Sequence, residues 1–107
     1  MNGNPSKKQQ EFHNYQRACG CIVCGDYNPA IHHIIGSKMK LKGCVKPGEW
    51  FVLPLCYAHH QGPDGVHAKK KNYDQKLLWK LAVRRYQNQF YSLPMSEEEY
   101  QIILERG

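Results

Sequence analysis

The sequence predicts an α+β fold, a single small domain in which two short strands and two metal-binding knuckles are flanked by helices. Three observations predict it. Helical apolar spacing and caps occupy both ends of the 107 residues. Two segments of strand character, residues 30–35 and 50–55, lie between them. Cys21-x-x-Cys24 and Cys56-x-x-His59, the pairs able to staple so short a centre, border those strands.

Each element follows from local chemistry. Residues 1–5 read as a flexible N-terminus. Ser6 with Gln9 forms a capping box, and Phe12, Tyr15 and Cys19 recur at helical spacing, predicting a helix over 7–18. In CGCIVCGD the glycine after Cys24 permits the positive φ of a tight knuckle. Residues 36–48, with Lys38, Lys40, Lys42 and Lys46 among three glycines, read as a basic loop. The run WFVLPL over 50–55 is the best strand, and Pro54 marks it as an edge or a strand end. Residues 74–90 carry Leu77, Leu78, Leu81, Ala82 and Tyr86 on a helical stripe, predicting the longest helix, packed on the site and closed by Leu93 and Pro94. A second capping box, Ser96 with Glu99, opens a last helix through 104. The whole chain, 1–107, reads as one domain with a zinc and histidine core over 21–67 and a helical part over 72–106.

Fifteen Lys and Arg against nine acidic residues give a formal charge of +6, which favours a polyanionic partner through counterion release. The N-terminal MNGNPSKKQQEF has no apolar run, and no window approaches the length of a membrane span. This predicts a cytoplasmic protein with no membrane partner, whose five cysteines serve as ligands or thiols rather than disulfides.

Cys21, Cys24, Cys56 and His59 make two half-sites about thirty residues apart, within the range of zinc-ribbon and treble-clef sites. Four protein ligands close the coordination sphere, so the expected ion is a structural zinc. Cys19 is a rival for Cys21, since a spacing of four is also permitted; Cys21 is preferred because Gly25 then completes the turn. Cys44, on the basic loop without a matching partner, reads as a free thiol, and His13 on the first helix as a surface residue.

His32, His33, His60 and His67 flank the two knuckles. Neighbours on a strand face opposite sides, so His32 and His33 do not share one ion. Three imidazoles with open positions for water and phosphate form a catalytic rather than a closed set, and a fourth, kept off the metal, suits a base because histidine titrates near neutrality.

The residues CIVC, the HHI at 32–34, FVLPLC, and CYAHH followed by GVH resemble the HNH (ββα-metal) endonuclease superfamily, most closely the phage recombination-enhancement (Ref-like) nucleases. The resemblance spans 21–67, somewhat under half the chain. It implies a zinc-stabilised, treble-clef-like ββα-metal fold and a metal-dependent DNA endonuclease. It assigns His33 as general base and His32, His60 and His67 as ligands of a catalytic divalent metal (Zn²⁺, Mg²⁺, Mn²⁺ or Ni²⁺), of which three imidazoles favour a borderline transition ion. DNA is the implied substrate, a recombinase filament a further implied partner, and a bacterial or phage-infected cell the setting. No small-molecule organic cofactor is expected. Lys38, Lys40, Lys42, Lys69, Lys70 and Lys71 are the candidates for phosphate contacts, with Arg84 and Arg85 beside them. Many relatives orient the base with an Asn on the second strand; this chain has none, leaving a backbone carbonyl or Glu49 to hold His33. Two other functions fit the sequence: a non-catalytic zinc module that binds nucleic acid through its basic face, and a treble-clef adaptor with Tyr86, Phe90 and Tyr91 as its contact patch.

Overall fold

Ser6 opens the first helix as its capping box requires: its hydroxyl accepts the Gln9 amide at 3.2 Å, and the Gln9 side chain accepts the Ser6 amide at 2.8 Å. The computed structural model describes residues 5–35, 40–62 and 74–106. Helix α1 runs Lys7–Cys19 and stops at Gly20, whose φ of 95° and close approach to the Gly25 carbonyl leave no room for a side chain.

The buried face of α1 is not the expected one. Gln9, Phe12, His13 and Gln16 face inward, whereas Tyr15 is half-buried and Cys19 exposed. Their spacing of three, four and seven is the helical period, but only Phe12 is apolar, so a hydrophobic pattern passes over the other three. His13, expected on the surface, is therefore a buried residue. Each buried polar group reaches a partner: Gln9 the Val45 and Lys46 carbonyls, His13 the Glu49 carbonyl, and Gln16 the Ala82 carbonyl.

Strand β1 (Ala30–His33) pairs antiparallel with β2 (Val52–Leu55) in the register Ala30↔Leu55, Ile31↔Pro54, His32↔Leu53 and His33↔Val52. Both strands are shorter than expected. Trp50 belongs instead to a one-turn helix, α2 (Pro47–Trp50), because Pro47 pre-sets a helical φ and Lys46 enters it with a left-handed φ of 50°. All four residues of β2 are buried, since α1 and the long helix over Gln75–Phe90 both pack on that strand. The second knuckle continues into another single turn, α3 (Tyr57–His60).

Helix α4 (Gln75–Phe90) is the longest among the described residues, and Asp74 caps it by accepting the Leu77 amide at 3.1 Å. Its inward stripe is Trp79, Ala82 and Val83, with Tyr86 partly buried against the core; Leu77 and Leu81, expected inside, are each about half exposed. Trp79 decides the rotation, because burying an indole removes more apolar surface from water than burying one leucine. Its ring is fully buried, edge-on to Phe51 and stacked on Tyr100, and its Nε1–H donates to the Trp50 carbonyl at 2.8 Å. Helix α5 (Glu97–Arg106) begins at the Ser96–Glu99 box and seats Ile103 in the core.

Trp79→Ala is expected to cost about 3–5 kcal/mol by combining a large cavity with an unpaired Trp50 carbonyl. A domain of this size has about 5–15 kcal/mol in total, so urea unfolding should show a midpoint lowered by a large fraction. A midpoint within a few tenths molar of wild type would contradict the placement of this ring.

Candidate metal centre and histidine cluster

The first knuckle is built by its own backbone. The Cys21 amide donates to the Asp26 carbonyl at 2.9 Å, the Gly25 amide returns to the Cys21 carbonyl at 2.8 Å, and Gly25 takes a φ of 79°. The Ile22 amide donates to the Pro54 carbonyl at 2.9 Å, tying this knuckle to the end of β2. There Cys56 precedes α3 as its N-cap residue, and the His59 amide donates to the Cys56 carbonyl. Residues three apart on a helical turn share a face, so Cys56 Sγ and His59 Nδ1 lie 3.2 Å apart.

The two knuckles meet. Cys21 Sγ lies 3.7 Å from His59 Nδ1, and Cys24 Sγ 3.7 Å from Cys56 Sγ. The four ligand atoms all lie within 4.8 Å of one another. With metal–sulfur bonds of about 2.3 Å, the edges of a tetrahedron are about 3.8 Å, so the spacing fits one tetrahedral ion. It is too long for a disulfide, and all five cysteines are free. Cys21, Cys24, Cys56 and His59 thus form a group able to hold a structural metal ion. Cys21, not the exposed Cys19, is the member supplied by the first knuckle.

The electrostatics of the group favour the ligand form of Cys21. Burial raises its pKa, but backbone N–H groups of Cys56, Cys24 and Val23 outweigh this and bring it down to about 7. At Cys24 the Asp26 amide acts downward, yet desolvation and the Cys56 and Cys21 sulfurs carry its pKa upward. Cys44 stands apart. Burial and the Glu99 carboxylate, 3.4 Å from its sulfur, push it up to about 12, so it remains a thiol.

Next to this group are the histidines. His60 follows His59 on α3, and its ring centroid lies 4.9 Å from that of His32. His32 is buried, with Nε2 2.9 Å from Gln75 Oε1 at the start of α4. His33 turns to the other side of β1, where its Nε2 lies 2.9 Å from Glu49 Oε1. Its side chain is 31% exposed against 7% for that of Glu49, so the imidazole is open to a ligand while the carboxylate is shielded. Of the two possible partners of His33, the contact falls to the Glu49 carboxylate rather than to a backbone carbonyl.

Glu49 also meets His13, whose Nε2 lies 2.6 Å from the Glu49 carbonyl and 3.8 Å from Oε1. Burial is the largest influence on His13 and holds its pKa below the ordinary 6.5. An unfolded chain takes up this proton below pH 6.5 while the folded chain resists it. His13 therefore contributes stability above that pH that is lost as pH falls toward its lower folded value. His13→Gln should accordingly be most destabilising near pH 7.5 and less so at pH 5 when urea unfolding of the two proteins is compared. A gap that widens in acid would contradict this sign.

Lys40 and Lys42 are exposed beside the turn that Leu41 and Cys44 close. Arg84 is exposed, whereas Arg85 is not available as expected: its guanidinium donates to the Gln16 side chain and to the Gln16 and Gly20 carbonyls, closing α1 onto α4. Phe90 and Tyr91 are exposed, and Tyr86 is packed against Phe12 and Tyr15. His67, Lys38, Lys69, Lys70 and Lys71 lie outside the described residues. His13 was not legible as part of the site; its place four residues after Gln9 and next to Phe12 is the signal that could have found it. No described helix is long and apolar enough to cross a membrane.

Neither the curated proteins nor the solved structures contain a match to this chain. A family model described as a protein of unknown function (DUF968) matches residues 4–90, from just before α1 to the last residue of α4. With more than three quarters of its length matched, the chain belongs to the DUF968 family.

Proposed function

We propose that the protein is a metal-dependent DNA endonuclease of the HNH type, with a structural zinc and a separate catalytic metal. The observation that carries this reading is the His33–Glu49 pair: a partly exposed imidazole held at 2.9 Å by a buried carboxylate, on the strand that also carries His32. A carboxylate that accepts the Nε2 proton leaves Nδ1 bare, which is the state a general base requires. The antiparallel β1–β2 pair followed by α3 supports the ββα reading, since it brings His60 against His32.

The donor set of three cysteines and one histidine suits zinc, and its four ligands leave no open position. His32 and His60, with His67 as a third ligand, would hold the catalytic ion. That ion supplies Lewis-acid stabilisation of the charge developing on the scissile phosphate and the leaving 3′ oxygen. His33 Nδ1 takes a proton from a water in line with the phosphorus, and Glu49 holds the resulting imidazolium. The leaving 3′ oxygen takes a proton from solvent water, and the products are a 5′ phosphate and a 3′ hydroxyl. The net charge of +6 favours a polyanion, and Lys38, Lys40, Lys42, Lys69, Lys70 and Lys71 are its proposed phosphate contacts. A recombination-related role in a bacterial or phage-infected cell, with a recombinase filament as partner, belongs to the same proposal.

The test is nicking of supercoiled plasmid with Mg²⁺, Mn²⁺, Zn²⁺ or Ni²⁺ added separately, alongside a count of metal ions per chain. Cutting with at least one ion, and a second ion bound when it is supplied, supports the nuclease. One ion per chain, salt-sensitive DNA binding and no cutting would replace it with a non-catalytic zinc module.

A further inference from the structure

Helix α1 lies outside residues 21–67, yet two of its side chains end on the segment that carries Glu49. Gln9 and His13 are one turn apart and buried to 1% and 5% exposure. Gln9 Nε2 donates to the Val45 and Lys46 carbonyls at 3.2 and 3.0 Å, and the His13 ring meets the Glu49 carbonyl at 2.6 Å. Burying such groups costs free energy unless they are bonded, and an apolar pair beside Phe12 would fill a core without reaching those carbonyls. What the polar pair adds is a fixed position for residues 45–49, a segment that enters α2 through the left-handed Lys46.

That position decides where the Glu49 carboxylate goes. Its Oε1 lies between two imidazoles, 2.9 Å from His33 Nε2 and 3.8 Å from His13 Nε2. The His13 and His33 rings stand edge-on, 6.2 Å between centroids. With Nε2–H donating to the backbone carbonyl, His13 does not compete for the carboxylate, which is left to His33.

We propose that His13, assisted by Gln9, is a positioning residue that fixes the Glu49 main chain so that its carboxylate holds His33 with Nε2 protonated. Its consequence for cleavage rests on the nuclease reading; its consequence for the His33 imidazole does not.

The imidazole N–H protons of the zinc-loaded full chain, ¹⁵N-labelled at histidine and observed at low temperature and pH 8, test it directly. Wild type should give a downfield Nε2–H resonance for His33, bonded to a carboxylate. His13→Phe and Glu49→Ala should each lose it, and His13→Gln, which keeps a donor near the Glu49 carbonyl, should restore it. Where wild type cuts DNA, His13→Phe should lower kcat about tenfold with KM unchanged, the scale seen when an outer partner of a working ligand is lost. Should His13→Phe not fold, His13→Asn, whose amide falls short of the carbonyl, makes the same test. A His33 resonance unchanged in the folded His13 variant would overturn the proposal, whatever the enzyme does. Loss and rescue of the resonance in a protein that never cuts would keep the positioning device and remove the nuclease.

Discussion

Removing a metal ion held by the Cys21, Cys24, Cys56 and His59 group is expected to unfold the protein rather than merely loosen it. The four ligands come from two turns separated in sequence by β1, the basic loop and β2, so one ion closes the centre of the molecule onto itself. Binding of a structural zinc to such a set is worth about 10–16 kcal/mol in small metal-folded domains. That equals or exceeds the roughly 5–15 kcal/mol of net stability of an ordinary domain. Without the ion, three sulfurs and an imidazole remain crowded together with no charge to gather them. Circular dichroism during a heating scan should show one cooperative transition in the zinc form and none after dialysis against a strong chelator, with the fold regained when zinc returns. Cys24→Ser, at an exposed position that leaves no cavity, should have the same effect because serine is a poor zinc ligand. A chelated protein that keeps its native transition would show that the core alone sustains the fold and that the four-residue group is not its staple.

On the proposed nuclease reading, His33→Ala should lower the rate of DNA cleavage by about 10²–10⁴-fold, the usual contribution of a general base. This corresponds to roughly 3–5 kcal/mol of barrier. The same change should cost little stability. His33 closes β1 at its last residue and its side chain is 31% exposed, so its removal opens no buried cavity. The zinc content of the variant should equal that of wild type, because none of the four cysteine and histidine ligands is touched. Loss of cutting in a folded, zinc-loaded variant separates catalysis from architecture. Equal cutting by wild type and variant would move the base to another residue or the activity to a contaminant.

These two effects differ in how far they were legible in the sequence. The metal group was fully legible, because ligand chemistry and spacing are local. Two donors on one turn must face the same ion, and glycine after Cys24 supplies the positive φ that closes the turn. The capping boxes of α1 and α5 were legible for the same reason, as each joins residues three apart. The partner of His33 was legible only as a choice between Glu49 and a backbone carbonyl, since Glu49 lies sixteen residues away on a segment whose helical turn displaced the start of the expected strand.

The sequence by itself thus determined the α+β class, the order of the long helices and the two strands, and the four residues able to gather one metal ion. Those features depend on contacts within a turn or on repeats of a few residues, where side-chain type sets the energy. Tertiary structure alone decided which face of each long helix turns inward. A leucine stripe on α4 yielded to Trp79, and the buried polar positions of α1 were stabilised by carbonyls on other elements. It also decided that His13 and Glu49 stand beside His33. A buried polar side chain is favourable only when a partner waits for it, and that partner belongs to a distant part of the chain until folding brings the two together.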